Sequence, residues 1–344
     1  MRSTSVRTTE RQMSGYSCPV LTSDGLRRAR GFLVLTCTVL VAFLTGAVSG
    51  SASAAPAAPQ VPVAACGGIG GKARPNASIN RSVTVGGVTR TFRVHLPASY
   101  DGRHRQPMIL GFHGHAEKST SFEQYTQLSR LPAVVVYPDG LRGLKNQPAW
   151  QGAPYSSPAS DDVAFTRAIL RDVRSTSCVD AARTFAVGRS NGGGFVALLS
   201  CRLPSEFAAF ATVDAAVYTA SMSGCASAPP VSVIDFHGTD DRVISYDGGV
   251  RFGAPYLSSR QWLDSLVRRG HCAPVPVTIP INRHIQQVTW PFCAPGVMIT
   301  HSRIVGGSHR WPGSTGNPGA GPISDTISAS HMIWAFFVAR TALR

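Results

Sequence analysis

Ser190 stands in the run Gly188-Arg189-Ser190-Asn191-Gly192, a serine with a glycine two residues to either side. A serine hydroxyl becomes a useful nucleophile only when a base takes its proton and a carboxylate orients that base. His309, closing Gly306-Gly307-Ser308-His309, is the candidate base. The candidate acid lies in His237-Gly238-Thr239-Asp240-Asp241, where Asp241 and Asp240 compete and Asp247 and Asp214 stand behind them. Such a trio attacks a carbonyl, and the oxyanion that forms needs backbone donors. Gly111-Phe112-His113-Gly114-His115 offers one N–H, at His115, and Asn191 offers another directly after the serine. The other histidines are weaker bases. His95 and His104 come before the first buried strand, and His113, His115 and His237 fall early in the chain. His271, His284, His301 and His331 lack a glycine-hinged loop. As metal ligands, His113 and His115 lack a partnered acid, and the chain has no CxxC or CxxH pair. Neither metal nor cofactor is expected.

These residues can act together only if strand ends carry them to one place. In a chain with 34 glycines the G-x-S-x-G pattern alone is weak, so its setting matters. It closes the apolar run Thr184–Val187 and opens a helical segment, Asn191–Cys201. That is the strand–turn–helix context of a nucleophile elbow, whose flanking residues must be small. The run Val231–Phe236 leads into the aspartates, and Met298–Val305 leads into the His309 loop. Serine, acid and histidine in that order, each at a strand end, is the arrangement of the α/β-hydrolase fold. Met108–Phe112, Ala133–Tyr137 and Ala208–Val213 read as further strands. Asp161–Val173, Pro255–Arg269 and Ile327–Leu343 read as helices. Strands alternating with helices predict a mostly parallel sheet flanked by helices. Ser82–Val85 and Val88–Leu96, joined by Gly86-Gly87, predict an N-terminal antiparallel hairpin.

The composition excludes several classes. Apolar residues make up 43% of 344, with no repeat or collagen-like run. Net charge is +15, carried by 30 arginines and only three lysines, Lys72, Lys118 and Lys145. Residues 55–344 keep +11, from 27 basic and 16 acidic side chains. The arginines are scattered, without a basic run or an aromatic-interleaved patch, so nucleic-acid binding is not expected. Arg27, Arg28 and Arg30 precede the apolar stretch Phe32–Val48, and Ala52-Ser53-Ala54 fits a small-residue cleavage site. Residues 1–54 therefore read as a signal peptide and 55–65 as a spacer, with one catalytic domain at 66–344. The expected product is a secreted protein that does not hold to the membrane after cleavage. Six cysteines then remain: Cys66, Cys178, Cys201, Cys225, Cys272 and Cys293. An even number in an exported chain suggests three disulfides, among 15 possible pairings. Cys272 with Cys293 is favoured, because an apparent hairpin at 275–290 lies between them.

In order, Phe112-His113-Gly114, Asp161-Asp162-Val163-Ala164-Phe165, Cys178-Val179-Asp180 and Gly188 to Gly194 resemble a known group. His237-Gly238-Thr239-Asp240-Asp241, Gly307-Ser308-His309-Arg310-Trp311-Pro312-Gly313 and Ile333-Trp334-Ala335-Phe336-Phe337 continue the likeness. The group is the secreted esterases spanning polyhydroxybutyrate-depolymerase-like proteins and feruloyl esterases. The resemblance places the acid at Asp241, four residues after the His of HGT, and the base at His309, directly before x-W-P-G. It implies hydrolysis of hydroxycinnamate or acetyl esters of plant cell-wall polysaccharide, with hydroxybutyrate oligomers as the alternative substrate. Two positions depart from the pattern: Arg189 where a smaller or apolar residue is common, and His115 where Cys, Trp or Ala-like residues are usual. Trp150 and Trp311 are candidates to line the cleft and bind substrate, Trp311 alternatively packing the His309 loop. Two other classes use parts of this design. A non-catalytic binding protein would lose the trio, and an acyltransferase would keep it but exclude water.

Overall fold

The computed structural model describes Cys66 and residues 74–314 and 326–340. The expected signal peptide and spacer lie outside the described residues. Gly86 and Gly87 both take positive φ, 55° and 78°, the backbone of a two-residue hairpin turn that matches strand twist. They join β1 (Ala77–Val85) to β2 (Val88–Leu96), with Val85 opposite Val88. The chain continues through β3 (Gln106–Phe112), α1 (Ser119–Thr126) and β4 (Val134–Pro138). A small ribbon of β5 (Leu141–Arg142) and β6 (Pro148–Ala149) precedes α2 (Asp162–Thr176), β7 (Val179–Arg189) and α3 (Asn191–Arg202). Next come β8 (Ala209–Val213), β9 (Val233–Gly238), and a second ribbon of β10 (Gly249–Arg251) and β11 (Ala254–Tyr256). The last elements are α4 (Ser259–Arg269), β12 (Val277–Pro280), β13 (Ile285–Trp290), β14 (Ile299–Ile304) and α5 (Ala329–Val338).

Ten strands form one sheet in the order β1-β2-β4-β3-β7-β8-β9-β14-β13-β12. The six from β4 to β14 run parallel, and antiparallel strands extend both edges. Every residue of β4, β8 and β9 is buried, as continuous apolar runs require when both faces of a sheet are covered. Alternation along the strands then divides the core. Leu110, Ala186, Val233 and Ile299 face the layer of α2, α3 and α4, with Phe165, Phe195 and Trp262. Ile109, Phe185, Val187 and Phe236 face α1 and α5, with Phe122, Ile333 and Phe337. This is the α/β-hydrolase fold. Three of its helices start at side-chain caps: Asp161 accepts from Ala164 N–H, Ser328 from His331 N–H, and Ser258 forms a capping box with Gln261.

One expected helix start shifts, and one helix was not expected. The segment predicted as helix from Pro255 becomes helical only at Ser259, because Ala254–Tyr256 pairs back onto Gly249–Arg251. α1 was not anticipated, since only Phe122 and Tyr125 of its apolar residues mark a buried face. The cysteines pair as Cys66–Cys178, Cys201–Cys225 and Cys272–Cys293. Among the described residues, no helix is long and apolar enough to cross a membrane.

One buried ion pair ties the N-terminal hairpin to the helix layer. Arg90 Nη2 donates to Asp162 Oδ1 at 2.6 Å, both side chains almost wholly buried, and the guanidinium lies 4.0 Å over the Phe165 ring. The other oxygen of Asp162 accepts from Gln151 N–H at 2.7 Å. Asp162→Ala leaves a buried charge without a partner, which typically costs about 3–5 kcal/mol. Urea unfolding is expected to show that loss, and Arg90→Met with Asp162→Leu is expected to recover most of it.

Candidate active site

Parallel register sets the site before any side chain does. Phe112 of β3 is opposite Gly188 of β7, Arg189 is opposite Val213 of β8, and Gly238 of β9 is opposite Ile304 of β14. The loops that follow all leave from the carboxyl edge of the sheet, where ligand crevices form in open α/β sheets.

Ser190 sits between β7 and α3 with φ 55° and ψ −121°. A non-glycine residue there costs on the order of 1–3 kcal/mol and persists only where its surroundings hold it. The surroundings are backbone at close range. A Cβ on Gly188 would lie 2.3 Å from Gly192 O, and one on Gly192 would lie 2.2 Å from Phe112 O and 2.4 Å from His113 O. Ser190 N–H donates to Val213 O, and Ser190 O accepts from Ala216 N–H, each at 2.9 Å. Asn191 Oδ1 accepts from Trp150 N–H at 2.7 Å. Three chain segments, 112–115, 150–155 and 213–218, are thereby fastened to this one turn.

His309 Nδ1 is 2.6 Å from Asp241 Oδ2. With Nδ1–H donating to the carboxylate, Nε2 keeps a lone pair and can act as a base. Asp241 Oδ1 accepts from Val243 N–H at 2.7 Å and Ile244 N–H at 2.8 Å. Its Oδ2 also meets His237 Nε2 at 3.3 Å, whose N–H donates to Ile244 O at 2.8 Å. Burial alone would raise the Asp241 carboxyl, but the His237 and His309 hydrogen bonds hold it well below the carboxylate range. His237 moves the other way. Burial would lower it, yet Asp241 and the nearby Asp214 raise it to about 9. Asp240, the competing candidate, is exposed, and its N–H donates to Gly307 O. Asp214 is buried, accepts from Gly238 N–H at 3.2 Å, and keeps its proton to higher pH because of burial. Asp214, His237 and Asp241 bring three possible ligand atoms close together, but the hydrogen bonds to Asp241 already use both of its oxygens.

His113 is buried, and burial lowers its imidazole. Its Nε2 accepts from Gly140 N–H at 3.1 Å, so the proton is on Nδ1, which donates to Gly114 O at 2.7 Å. In a trans peptide the N–H points opposite to the C=O. With Gly114 O turned toward His113, the N–H of His115 is turned away from it. His115, the expected oxyanion donor, lies in the loop whose Phe112 and His113 carbonyls pack on Gly192.

Arg189, whose size was unexpected before a nucleophile, is almost wholly buried. Its Nη1 donates to Glu117 Oε1 at 2.6 Å and its Nη2 to His309 O at 2.8 Å. Glu117 Oε2 accepts from Gly114 N–H at 3.0 Å and Tyr125 O–H at 2.8 Å. The pair braces the His309 loop against the 113–117 loop. Sequence reasoning missed Glu117 and His237 in these roles. No spacing pairs Glu117 with Arg189, although the HGT motif did mark His237.

Trp150 and Trp311 require a correction, because neither lines an open cleft. Trp150 is 0% exposed, stacked on Phe195, and donates from Nε1 to His113 O at 2.8 Å. Trp311 is 1% exposed, edge-on to Phe122, and donates to Ser330 Oγ at 3.1 Å. Both indoles find partners inside the protein, so they support loops and present no face to a ligand.

Residues 91–268 match the family described as Esterase PHB depolymerase. Feruloyl esterase B of Piromyces equi is 28% identical over 227 residues, covering 63% of this chain and 42% of that protein. Feruloyl esterase C of Emericella nidulans is 28% identical over 180 residues, covering 49% and 62%. The chain thus spans less than two thirds of each of these relatives. An S-formylglutathione hydrolase from Agrobacterium tumefaciens shares the fold, with a TM-score of 0.50, 11% identity, and coverage of 76% and 95%.

His309 has its imidazole lowered by burial, opposed by the Asp241 hydrogen bond and assisted by the Arg189 charge. NMR titration of the ring is expected to give a midpoint below the ordinary 6.5. Arg189→Met removes the assisting charge and should move that midpoint upward. An unchanged midpoint would separate Arg189 from His309 electrostatically.

Proposed function

The chain belongs to the Esterase PHB depolymerase family, and on that premise we propose that it is a serine carboxylic-ester hydrolase. The carrying observation is the 2.6 Å His309–Asp241 hydrogen bond, beside a serine held at positive φ on the strand-to-helix turn. His309 Nε2 takes the Ser190 proton as Oγ attacks the ester carbonyl. The N–H groups of Asn191 and His115 hold the oxyanion, and Asp241 stabilises the imidazolium. The imidazolium then protonates the departing alcohol, leaving an acyl-serine. Water, deprotonated by His309, attacks that ester and releases the acid and Ser190.

Hydroxycinnamate or acetyl esters of plant cell-wall polysaccharide are the substrates proposed first, which the two feruloyl esterase relatives support. Hydroxybutyrate oligomers are the second reading, which the family description favours. The three disulfides support an exported protein.

The test is hydrolysis of methyl ferulate, p-nitrophenyl acetate and 3-hydroxybutyrate oligomers beside Ser190→Ala. Release of ferulate, reduced by about 10⁴–10⁶ in kcat by the substitution, is expected. Cleavage of the oligomers alone would transfer the reading to polyesters. Activity that survives in Ser190→Ala would remove the serine from its role.

A further inference from the structure

β12 is the outermost strand of the sheet, and an edge strand normally carries charges that keep other molecules off it. This one carries the reverse. Val277 and Ile279 share a face, Val275 and Ile281 continue the two-residue spacing at either end, and all four are 51–74% exposed. At about 3.3 Å per residue the row is about 20 Å long. Its cross-strand neighbours on β13 are polar, Thr289 beside Val277 and Gln287 beside Ile279. Ala273 N–H donates to Pro291 O at 2.9 Å, which puts Phe292 at the Val275 end of the row. Phe292 takes φ 55°, and its ring is 87% exposed. That backbone is strained for a phenylalanine, and a ring so exposed gains nothing from packing. The neighbouring Cys293 is cross-linked to Cys272, so the ring projects from a closed base. Exposed apolar surface of this extent marks an interaction site.

The charge around the row has one sign. No Asp or Glu occurs between Asp264 and Asp325. Arg268, near the end of α4, and Arg283, in the β12–β13 turn, are exposed and form no ion pair among the described residues. These features separate the possible occupants. A further β-strand would need backbone donors, and Pro274, Pro276 and Pro280 have no N–H. A second copy of the same face would set arginine against arginine. Hydrocarbon beneath anionic headgroups matches both the row and the charges, and it receives a projecting ring without a shaped socket. β12 is five strands from β7, about 24 Å at about 4.8 Å per strand. The loops around Ser190 stay clear of anything docked there.

We propose that the exposed face of β12, with Phe292, is a docking surface for an anionic lipid bilayer. Valine, isoleucine and phenylalanine side chains enter the interface, while Arg268 and Arg283 meet the headgroups. The contact is reversible and needs no spanning segment. It holds the protein at a lipid surface with the Ser190 loops open to solvent.

Protein collected from the medium of an exporting culture is mixed with vesicles of phosphatidylglycerol and phosphatidylcholine in equal parts, or of phosphatidylcholine alone. Co-sedimentation is expected to show about tenfold stronger binding to the mixed vesicles, weakening as salt is raised. Phe292→Asn, which suits the left-handed backbone, and Val277→Thr with Ile279→Thr are each expected to weaken binding about tenfold. Arg268→Gln and Arg283→Gln are expected to cost about fivefold each on the mixed vesicles and nothing on phosphatidylcholine. Thermal midpoints are expected to stay at or above that of the wild type. No binding to either vesicle, equal binding to both, or binding unchanged by the apolar substitutions would overturn the docking surface. A dimer in solution that Phe292→Asn dissociates would assign the face to a second copy and overturn it too. Each readout is independent of Ser190, so the esterase reading stands or falls separately.

Discussion

Ser190 is held in its left-handed conformation by contacts that admit no side chain at Gly188 or Gly192, and the rest of the site is arranged around that turn. Its own N–H and C=O bind Val213 and Ala216, its neighbour Asn191 binds Trp150, and the carbonyls of Phe112 and His113 press on Gly192. The oxyanion loop, the segment carrying Tyr155 and the segment carrying Tyr218 therefore have positions relative to the hydroxyl that cannot drift independently. Preorganisation of this kind is where most of the electrostatic advantage of such sites arises.

Charge is handled by a second set of constraints. Asp241 receives hydrogen bonds from two backbone amides and two imidazoles, so a nearly buried carboxylate stays ionised at neutral pH. His237 supplies a cationic partner at the same carboxylate oxygen that His309 meets. The buried Arg189–Glu117 pair joins the loops on either side of the serine, and its positive end favours a neutral, proton-accepting His309. Buried ion pairs are weak contributors to stability. Here the geometric consequence, bracing two loops through one guanidinium, is the more informative one.

Much of this was legible in the sequence because the signals were local. The elbow glycines, the strand runs before Asp241 and His309, and the Gly86-Gly87 turn each depend on neighbours within a few positions. The Asp241–Asp240 choice came only from the family resemblance, since the residues by themselves left both open. It depends on which side chain the loop turns inward, and backbone amides of Val243 and Ile244 decide that. Glu117 is 72 residues from Arg189, and no spacing rule links them. Trp150 and Trp311 were misplaced because large aromatics suit both a cleft and a core, and only their indole N–H partners distinguish the two. Pro255 and Tyr256 of β11 were read into a helix because Pro255 resembles a first-turn proline, a signal that the pairing of Arg251 with Ala254 overrides.

The disulfides join Cys66 to Cys178, Cys201 to Cys225 and Cys272 to Cys293, which among these six is strictly first to second, third to fourth, fifth to sixth. A chain threaded amino end first into an oxidising compartment would meet each correct partner as the next thiol to arrive. Pairing in that order would ask for an oxidant but for no reshuffling of mispaired thiols.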